Sequence, residues 1–211
     1  MLLALDQQRI YRVMRREPKL GEAVIAKLPT RLRSSARDNF AAGRSLLRLA
    51  PKKPPSTQPR IKVGPAEPPQ KLLGFYRAAE RRFGVSRWVL ASVNLIESGY
   101  NRLRNNSYAG AQGPMQFIPS TWSAYGMGGD IRDPHDAILG AANYLHASGA
   151  PGNYRRALYS YNNSALYVDA VLRYARQMKR RPQRFYAYWS WQVFVRSASG
   201  YKRLTGPGRT Y

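Results

Sequence analysis

The stretch Ser86–Trp122, SRWVLASVNLIESGYNRLRNNSYAGAQGPMQFIPSTW, decides how the rest of the chain is organised. Ser86 is a favourable N-cap and Gly99 a favourable C-terminal stop, so the sequence predicts a helix over Arg87–Ser98. This helix is apolar on nearly every side, which is typical of a buried helix. Glu97 near its end breaks the pattern. Because burial raises the pKa of a carboxyl group, Glu97 is a candidate general acid; the alternative is a glutamate paired with an arginine at a helix end.

Helical periodicity on both sides of this stretch predicts a mainly α fold. The predicted helices outside it are Leu5–Arg16, Gly21–Leu28, Arg31–Leu49 with Thr30 as N-cap, one from Lys71 that stops at Gly84, one from Pro119 or Ser120 to Gly126, one capped by Asp133 and running to Ser148, Tyr154–Tyr161 capped by Asn153, and one capped by Ser164 and running to Lys179. After Pro182 the period changes. The aromatic, β-prone run from Tyr186 to Val195 predicts either a short hairpin that turns back at Ser197–Gly200 or a strand packed on the helices.

These elements divide the chain into four parts. They are a basic helical segment over residues 1–50, a proline-rich linker over 51–70, a main domain over 71–182 and an aromatic C-terminal hairpin or tail over 183–211. The prolines of the linker lack amide donors and favour extended backbone, so they mark a boundary. Residues 1–50 carry no catalytic pattern, and we interpret them as a helical appendage.

The composition narrows the classes of function. The chain has 211 residues, 44% of them hydrophobic, which argues for a domain with a real core. It has no cysteine and two histidines, His135 and His146, so neither thiol chemistry nor a metal site is expected, and we predict no cofactor. No stretch is long enough to span a bilayer. The N-terminus lacks the basic region of a signal peptide, so either export uses another route or the export-competent precursor starts elsewhere.

The formal net charge is +24, and Lys and Arg are spread along the whole chain. So basic a surface favours polyanions, namely nucleic acid, anionic lipid or an acidic cell-wall polymer. A basic soluble surface without such a partner explains the charge equally well. The even spread fits general attraction better than a defined recognition helix.

Glu97 has few acidic partners. Helix capping explains Asp133 and Asp136, and an ordinary turn or solvated position explains the remaining acids after Ser86, Asp130 and Asp169. Glycoside cleavage normally uses two carboxylates. In a glycosidase of this sequence, something other than a side-chain carboxylate, such as the substrate itself, would therefore complete the displacement.

Aromatic residues make up 12% of the chain. Their faces suit the C–H faces of sugar rings, although most of them are more typical of a core than of a groove. In the central region they are Tyr108, Phe117, Trp122, Tyr125, Tyr144, Tyr159 and Tyr161.

Three motifs resemble those of the soluble lytic transglycosylases, a family related to goose-type lysozymes. They are Glu97–Asn101 (ESGYN), Ser107–Trp122 (SYAGAQGPMQFIPSTW) and Ala157–Asn162 (ALYSYN), within a resemblance that covers Leu72–Met178. The resemblance implies a mainly α, lysozyme-like domain with a groove for peptidoglycan glycan strands. It also implies cleavage of the β-1,4 bond between N-acetylmuramic acid and N-acetylglucosamine, with formation of a 1,6-anhydromuramoyl product.

The same resemblance implies the roles of individual residues. Glu97 would act as acid and then as base, and Tyr161 would hydrogen-bond and orient it. Met115 and Gln116 would line the groove. The full set of expected substrate-binding residues is Ser107, Met115, Gln116, Phe117, Tyr144, Tyr161 and Asn162. Two departures from the family pattern are a longer loop before Ser107 and Pro114 in place of a common leucine.

The expected partners are peptidoglycan glycan strands and, through the basic surface, anionic cell-wall polymers; no specific nucleic acid and no transmembrane segment are expected. We expect a monomer in the cell envelope, periplasmic or extracellular. One alternative is a lysozyme-type hydrolase on the same fold, with Asp130 or a neighbour positioning water. A more remote alternative is a basic nucleic-acid-binding or wall-binding protein without catalysis.

Overall fold

The structure is a computed structural model that describes residues 2–50, 61–197 and 200–209. Over these ranges it is mainly helical and ends in a short antiparallel hairpin, so the predicted fold class is confirmed. No helix in the described ranges is both long and apolar enough to cross a membrane. The elements are α1 (Leu2–Met14), α2 (Pro18–Lys27), α3 (Thr30–Leu49), α4 (Pro69–Phe83), α5 (Arg87–Ser98), α6 (Pro119–Tyr125), α7 (Pro134–Ala147), α8 (Tyr154–Tyr161), α9 (Ala165–Arg180), α10 (Arg184–Trp189), β1 (Phe194–Ser197) and β2 (Gly200–Arg203).

Helix α5 lies at the centre of the main domain. α4, α7 and α9 pack around it and α10 contacts it, which explains why its sequence is apolar on nearly every side. The Oγ of Ser86 caps its N-terminus by accepting a hydrogen bond from the Trp88 amide at 3.3 Å. Gly99 ends it in the left-handed conformation with φ 61°. Both ends of this helix are therefore as predicted.

Side-chain caps start two of the other helices, α7 and α8. Asp133 accepts hydrogen bonds from the amides of His135 and Asp136 at the start of α7, and Asn153 accepts one from Arg156 at the start of α8, as predicted. One predicted cap is wrong, because Pro29 holds the N-cap position of α3 in place of Thr30. Ser164 holds the predicted N-cap position of α9, although its side chain makes no capping hydrogen bond.

α3 packs against α9 through a buried ion-pair network, so the N-terminal helices lie directly on the main domain. At its centre is Asp38, whose side chain is 7% exposed. Its carboxylate accepts hydrogen bonds from Arg173 at 3.1 Å, from Arg176 at 3.1 and 2.5 Å, and from Gln177. Burial acts to raise the pKa of Asp38, but the hydrogen bonds from Arg176 and Gln177 and the two arginine charges outweigh it, and the pKa is lowered.

The aromatic run after Pro182 forms helix α10 before it forms a strand, so the predicted strand start is wrong. Phe185 and Tyr188 are both buried, and a spacing of three residues places them on one face of a helix. The hydroxyl of Tyr188 donates to Asn39 of α3 at 2.6 Å. Packing on the helices therefore overrides the β-propensity of the aromatic residues. β1 then pairs with β2 as predicted, and the predicted turn residues Ala198 and Ser199 lie outside the described residues.

Residues 51–60 of the predicted linker also lie outside the described residues, and α4 begins at Pro69, inside its predicted end. The part between, residues 61–68, runs along the loop that follows α5. The Gly64 amide donates to the Arg102 carbonyl at 2.9 Å, and the Glu67 amide donates to the Tyr100 carbonyl at 3.1 Å. This segment therefore fixes the backbone that follows Glu97. The domain boundaries themselves stay a prediction.

We predict that Asp38→Asn lowers the free energy of unfolding by about 2 kcal/mol at pH 7, because hydrogen bonds to a charged acceptor are worth about that much. The folded state lowers the pKa of Asp38, so this contribution is present above the unfolded-state pKa of about 3.9 and is lost as the pH falls through the folded-state pKa. Urea unfolding at pH 7 and pH 3, followed by circular dichroism, measures the effect. Asp169→Asn is the control, since its more exposed pair with Arg173 should contribute less than about 1 kcal/mol. An equal difference from wild type at both pH values would contradict the prediction.

Candidate active site

Glu97 lies in the last turn of α5 and is half-buried. The hydroxyl of Tyr167, on α9, donates a hydrogen bond to its Oε1 at 2.6 Å. Burial raises the pKa of Glu97 to about 7, while the hydrogen bond from Tyr167 opposes that rise. Glu97 is therefore a carboxyl group that can be protonated or ionised near neutral pH, which is what a general acid and base requires.

The predicted hydrogen bond between Tyr161 and Glu97 is wrong. The Tyr161 hydroxyl donates instead to the backbone carbonyl of Met115 at 2.6 Å. Its ring lies parallel to that of Tyr167, with 6.5 Å between the ring centroids and 5° between the planes. Tyr161 thus holds the loop of Met115, while Tyr167 on the next helix holds the carboxyl group.

A row of tyrosines leads to Glu97. The ring centroids of Tyr125 and Tyr144 are 4.7 Å apart, and those of Tyr144 and Tyr161 are 5.7 Å apart. Tyr161 then faces Tyr167, which binds Glu97. The first three side chains are half-buried, so each presents part of its ring to solvent. Such a row of amphipathic rings suits the alternating apolar and hydroxyl-bearing faces of a sugar chain.

Met115 and Phe117 are core residues. Met115 has no exposed surface and Phe117 is 3% exposed. The Phe117 ring packs edge-on against Trp122, with centroids 5.1 Å apart, and against Tyr161, with centroids 5.8 Å apart. Met115 was expected to line the groove and Phe117 to bind substrate. Their burial leaves neither side chain a surface for such a contact.

Gln116, between them, lies in a tight turn with φ 51°. Its Nε2 donates to the carbonyls of Gly113 at 2.9 Å and Asn105 at 3.3 Å. The turn is closed by a bridge between Gln112 and Phe117. Gln116 is half-buried, so it remains a candidate for substrate contact, with its amide held in place by the loop.

Two polar side chains of α5 hold this turn by hydrogen bonds to its backbone. Ser98 donates to the Pro114 carbonyl at 2.7 Å and Asn94 donates to the same oxygen at 2.9 Å. Asn94 in turn accepts a hydrogen bond from the Tyr76 hydroxyl at 2.6 Å. Ser98, the residue next to Glu97 in sequence, therefore connects α5 to the turn of Gln116.

Ser107 and Asn162 lie near the ends of this region. Ser107 is exposed, and its Oγ accepts a hydrogen bond from the Ala111 amide at 3.0 Å within its own turn. Asn162 is half-buried and holds the C-cap position of α8. The hydrogen bonds described for them stabilise local turns, so a role for either in substrate binding stays a prediction.

The backbone after Glu97 is strained. Gly99, Tyr100 and Asn101 are consecutive residues with φ of 61°, 62° and 70°. Residues other than glycine in this region cost about 1–3 kcal/mol each, and such strain concentrates at functional sites. Tyr100 is fully buried, and its ring packs edge-on against Phe185 at 5.4 Å. Burial of this aromatic ring offsets the strain and fixes the end of the helix that carries Glu97.

Asp133, His135 and Asp136 form a group whose possible metal-ligand atoms lie within 4.8 Å of one another. Its carboxylates already accept hydrogen bonds within the start of α7: Asp133 from two amides, and Asp136 from the Asp130 amide at 3.0 Å. The same capping contacts explain why these acids stand close together.

Glu97 also lines a cavity of about 270 Å³ that extends away from the expected groove residues. α1, α3, α9 and the residues leading into β1 form the rest of its wall, with Arg12, Arg15, Tyr174 and Trp191 among them. None of the expected substrate-binding residues lines this cavity. Glu97 therefore lies between the tyrosine row on one side and this cavity on the other.

Sequence reasoning missed Tyr167, Ser98 and Asn94 as parts of the site. The signal for Tyr167 is a hydroxyl-bearing ring within the otherwise apolar stripe of α9. The signal for Asn94 and Ser98 is a pair of polar residues four positions apart in a helix that is otherwise apolar. In each case the partner lies far along the chain, so the spacing alone does not identify it.

The fold and the site together define a helical, lysozyme-like domain that carries a half-buried glutamate with a raised pKa. The family model described as "Transglycosylase SLT domain" matches residues 75–183, and the chain belongs to this family of peptidoglycan-acting, lytic-transglycosylase-type domains. No solved structure matches the chain significantly.

We predict that Gly113→Ala lowers the free energy of unfolding by about 3 kcal/mol or more. Gly113 has φ 73°, and a Cβ there would lie 1.8 Å from the backbone oxygen of Ile131. The control is Gly110→Ala, since Gly110 also has a left-handed φ, of 80°, but has open space around it, so only about 1–2 kcal/mol is expected. Thermal or urea unfolding measures both variants. Equal losses would show that the contact with Ile131 is not what requires glycine.

Proposed function

We propose that this protein is a peptidoglycan lytic transglycosylase that cleaves the β-1,4 bond between N-acetylmuramic acid and N-acetylglucosamine. The observation that carries the proposal is Glu97, a half-buried carboxyl group with a pKa of about 7 at the end of a row of tyrosines. Family membership supports peptidoglycan as the substrate. The groove-side candidates for substrate contact are Gln116, Tyr144, Tyr161 and Asn162.

In the first step protonated Glu97 gives its proton to the glycosidic oxygen. The bond between that oxygen and the muramoyl C1 breaks, and the N-acetylglucosamine part leaves with a new hydroxyl group. In the second step the ionised carboxylate accepts the proton of the muramoyl 6-hydroxyl group, and the oxygen of that hydroxyl group forms a bond to the muramoyl C1. The product is the 1,6-anhydro sugar, Glu97 is protonated again, and no water is consumed. The Tyr167 hydroxyl stabilises the carboxylate between the two steps.

This single-carboxylate chemistry agrees with where the other acids lie. Asp169 pairs with Arg173 at 2.8 Å and accepts a hydrogen bond from Ser45. Asp130 belongs to the turn before α7, where its Oδ1 accepts from the Arg132 amide at 2.8 Å. These contacts support the view that neither acid is a second catalytic carboxylate, and they favour the substrate hydroxyl as the attacking group.

The rival function is a lysozyme-type hydrolase, in which Asp130 or a neighbour positions water. The two reactions differ in mass, because the anhydro product is one water lighter than the hydrolytic product. Mass spectrometry of muropeptides released from purified peptidoglycan therefore decides between them. A digest that contains only reducing ends would overturn the transglycosylase proposal.

We also propose that the protein works in the cell envelope, periplasmic or extracellular, as a monomer on glycan strands. Its net charge of +24 supports attraction to anionic wall polymers over distances of about a Debye length. The nucleic-acid-binding alternative leaves Glu97, its raised pKa and the tyrosine row unexplained.

We predict that Glu97→Gln lowers turnover on purified peptidoglycan by about 10²–10⁴-fold, the usual contribution of a general acid–base group. Gln keeps the shape of the side chain but cannot give or accept the proton. The control is Asp130→Asn, which keeps the oxygen that caps the turn and should leave the rate and the anhydro product unchanged. A large loss in Asp130→Asn would support the hydrolase, and an unchanged rate in Glu97→Gln would remove Glu97 from the mechanism.

We predict that Tyr167→Phe shifts the alkaline limb of the kcat/KM profile to higher pH. The reaction begins with protonated Glu97, so the rate should fall as the pH rises through its pKa of about 7. The Tyr167 hydroxyl stabilises the ionised form, and its removal raises the pKa further. Tyr161→Phe is the control, because that hydroxyl donates to a backbone carbonyl, so the limb should stay in place. A limb that moves down in Tyr167→Phe, or does not move, would contradict the assignment.

A further inference from the structure

The cavity beside Glu97 is built mostly by parts of the chain outside the family match at residues 75–183. α1 and α3 form one side, and residues Trp191 to Phe194 form another. Most of the cavity wall therefore comes from segments outside the matched domain, and the matched domain supplies the remainder, chiefly the end of α5.

Three residues that line this cavity each carry a buried donor without a hydrogen-bond partner in the described part of the chain. The donors are Nη2 of Arg12, Nε of Arg15 and Nε1 of Trp191. Leaving a buried donor unpaired costs about 1–3 kcal/mol, and more for a charged group, so native proteins rarely do so. All three atoms are donors, so each lacks an acceptor such as an oxygen atom.

The two guanidinium groups are not neutralised by an acid within the described residues. The ion pairs found there include neither of them, and the acid of α1, Asp6, pairs with Arg9 at 3.3 Å. Burial and then the charge of Arg15 lower the pKa of Arg12 to about 10, and burial lowers the pKa of Arg15. Both shifts mean that positive charge is disfavoured here without a counter-ion, and an anion in the cavity would supply one.

The arginines are also held in place before any ligand binds. The Arg12 guanidinium lies over the ring of Phe194 at 4.3 Å and over that of Tyr201 at 4.5 Å. The Arg15 side chain passes close to Gly43, where a Cβ would lie 3.3 Å from the Arg15 Cδ. Groups that are already ordered lose little conformational entropy on binding, which favours affinity.

A basic surface groove adjoins the cavity and shares Arg12 and Phe194 with it. Its other wall residues include Arg9, Arg16 and Arg203. A cleft lined by one sign of charge raises the local concentration of the opposite charge. The groove therefore gives an anionic group a favourable route to Arg12.

We propose that the cavity formed by α1, α3 and the start of the hairpin binds an oxyanion of the cell-wall polymer, held by Arg12, Arg15 and Trp191. Two sources share this chemistry, a carboxylate of the peptide carried by the muramoyl sugar and a phosphate of an anionic wall polymer. The first is favoured because the cavity reaches Glu97, so its occupant would be attached to the sugar that reacts there. This choice of source rests on the proposed function, whereas the oxyanion site does not.

The test measures binding by calorimetry to the inactive Glu97→Gln protein, with a soluble stem peptide and with inorganic phosphate as separate probes. We expect the peptide to bind, and Arg12→Gln or Arg15→Gln to raise its dissociation constant about tenfold or more, since each removes a charge-assisted hydrogen bond. Lys19→Gln is the control, because it removes one exposed charge elsewhere and should leave binding unchanged. Thermal unfolding of each variant shows that it is folded, and Arg12→Lys, which keeps charge without the planar fork, should restore binding only in part.

Binding of phosphate alone, with the same dependence on Arg12 and Arg15, would keep the oxyanion site and assign it to the phosphate source. Absence of binding by both probes, or binding that is unchanged in both arginine variants, would overturn the proposal.

A second arm compares wild-type cleavage of intact peptidoglycan with that of the same glycan after its peptides are removed. The arginine variants should lower kcat/KM only on the peptide-bearing substrate. Because the calorimetric arm needs no turnover, it stands even where the cleavage chemistry proves to be hydrolytic.

Discussion

The placement of α9 against α5 is the constraint on which the candidate site depends. Glu97 sits at the end of one helix, and the hydroxyl that holds it belongs to Tyr167 on the other, which is 1% exposed. Burial and this hydrogen bond act in opposite directions on the pKa of the carboxyl group. The balance sets the group near neutrality, where one residue can give a proton and then accept one. A shift of α9 would change both effects at once, so the rigidity of this helix pair is itself part of the chemistry.

That rigidity comes largely from residues outside the matched domain. Asp38 of α3 binds two arginines of α9, and the Tyr188 hydroxyl of α10 donates to Asn39 of the same helix. Segment 61–68 is hydrogen-bonded to the strained loop that follows Glu97. The N-terminal helices and the C-terminal segment therefore support both elements that carry Glu97 and Tyr167. Strain at Tyr100 and Asn101 can persist because the surrounding packing over-determines their conformation.

Local rules predicted the helices well, because a cap or a left-handed glycine acts within one turn of its own position. Ser86, Gly99 and Asp133 are examples. Predictions from the sequence were wrong where a contact between distant parts of the chain decides the structure. Tyr161 and Tyr167 are six positions apart, and which hydroxyl reaches Glu97 depends on how α8 and α9 are packed. The aromatic run at Tyr186 has strand propensity, yet burial of Phe185 and Tyr188 selects a helix. Met115 was expected to line the groove because a sequence motif identifies a residue but does not show whether its side chain is buried.

The basic residues of the chain fall into two groups, exposed cations at the surface and shielded cations in the cavity wall. With 35 Lys and Arg against 11 Asp and Glu, most cations have no acid available in the chain. Exposed cations of this kind attract polyanions at a distance, and salt screens that attraction. Arg12 and Arg15 differ, because aromatic rings and helices shield them and screening by salt is weaker there. An anion that reaches them interacts more strongly than one at the surface. Under the proposed function, the same excess of charge would first bring the protein to an anionic polymer and then fix one group of that polymer beside Glu97.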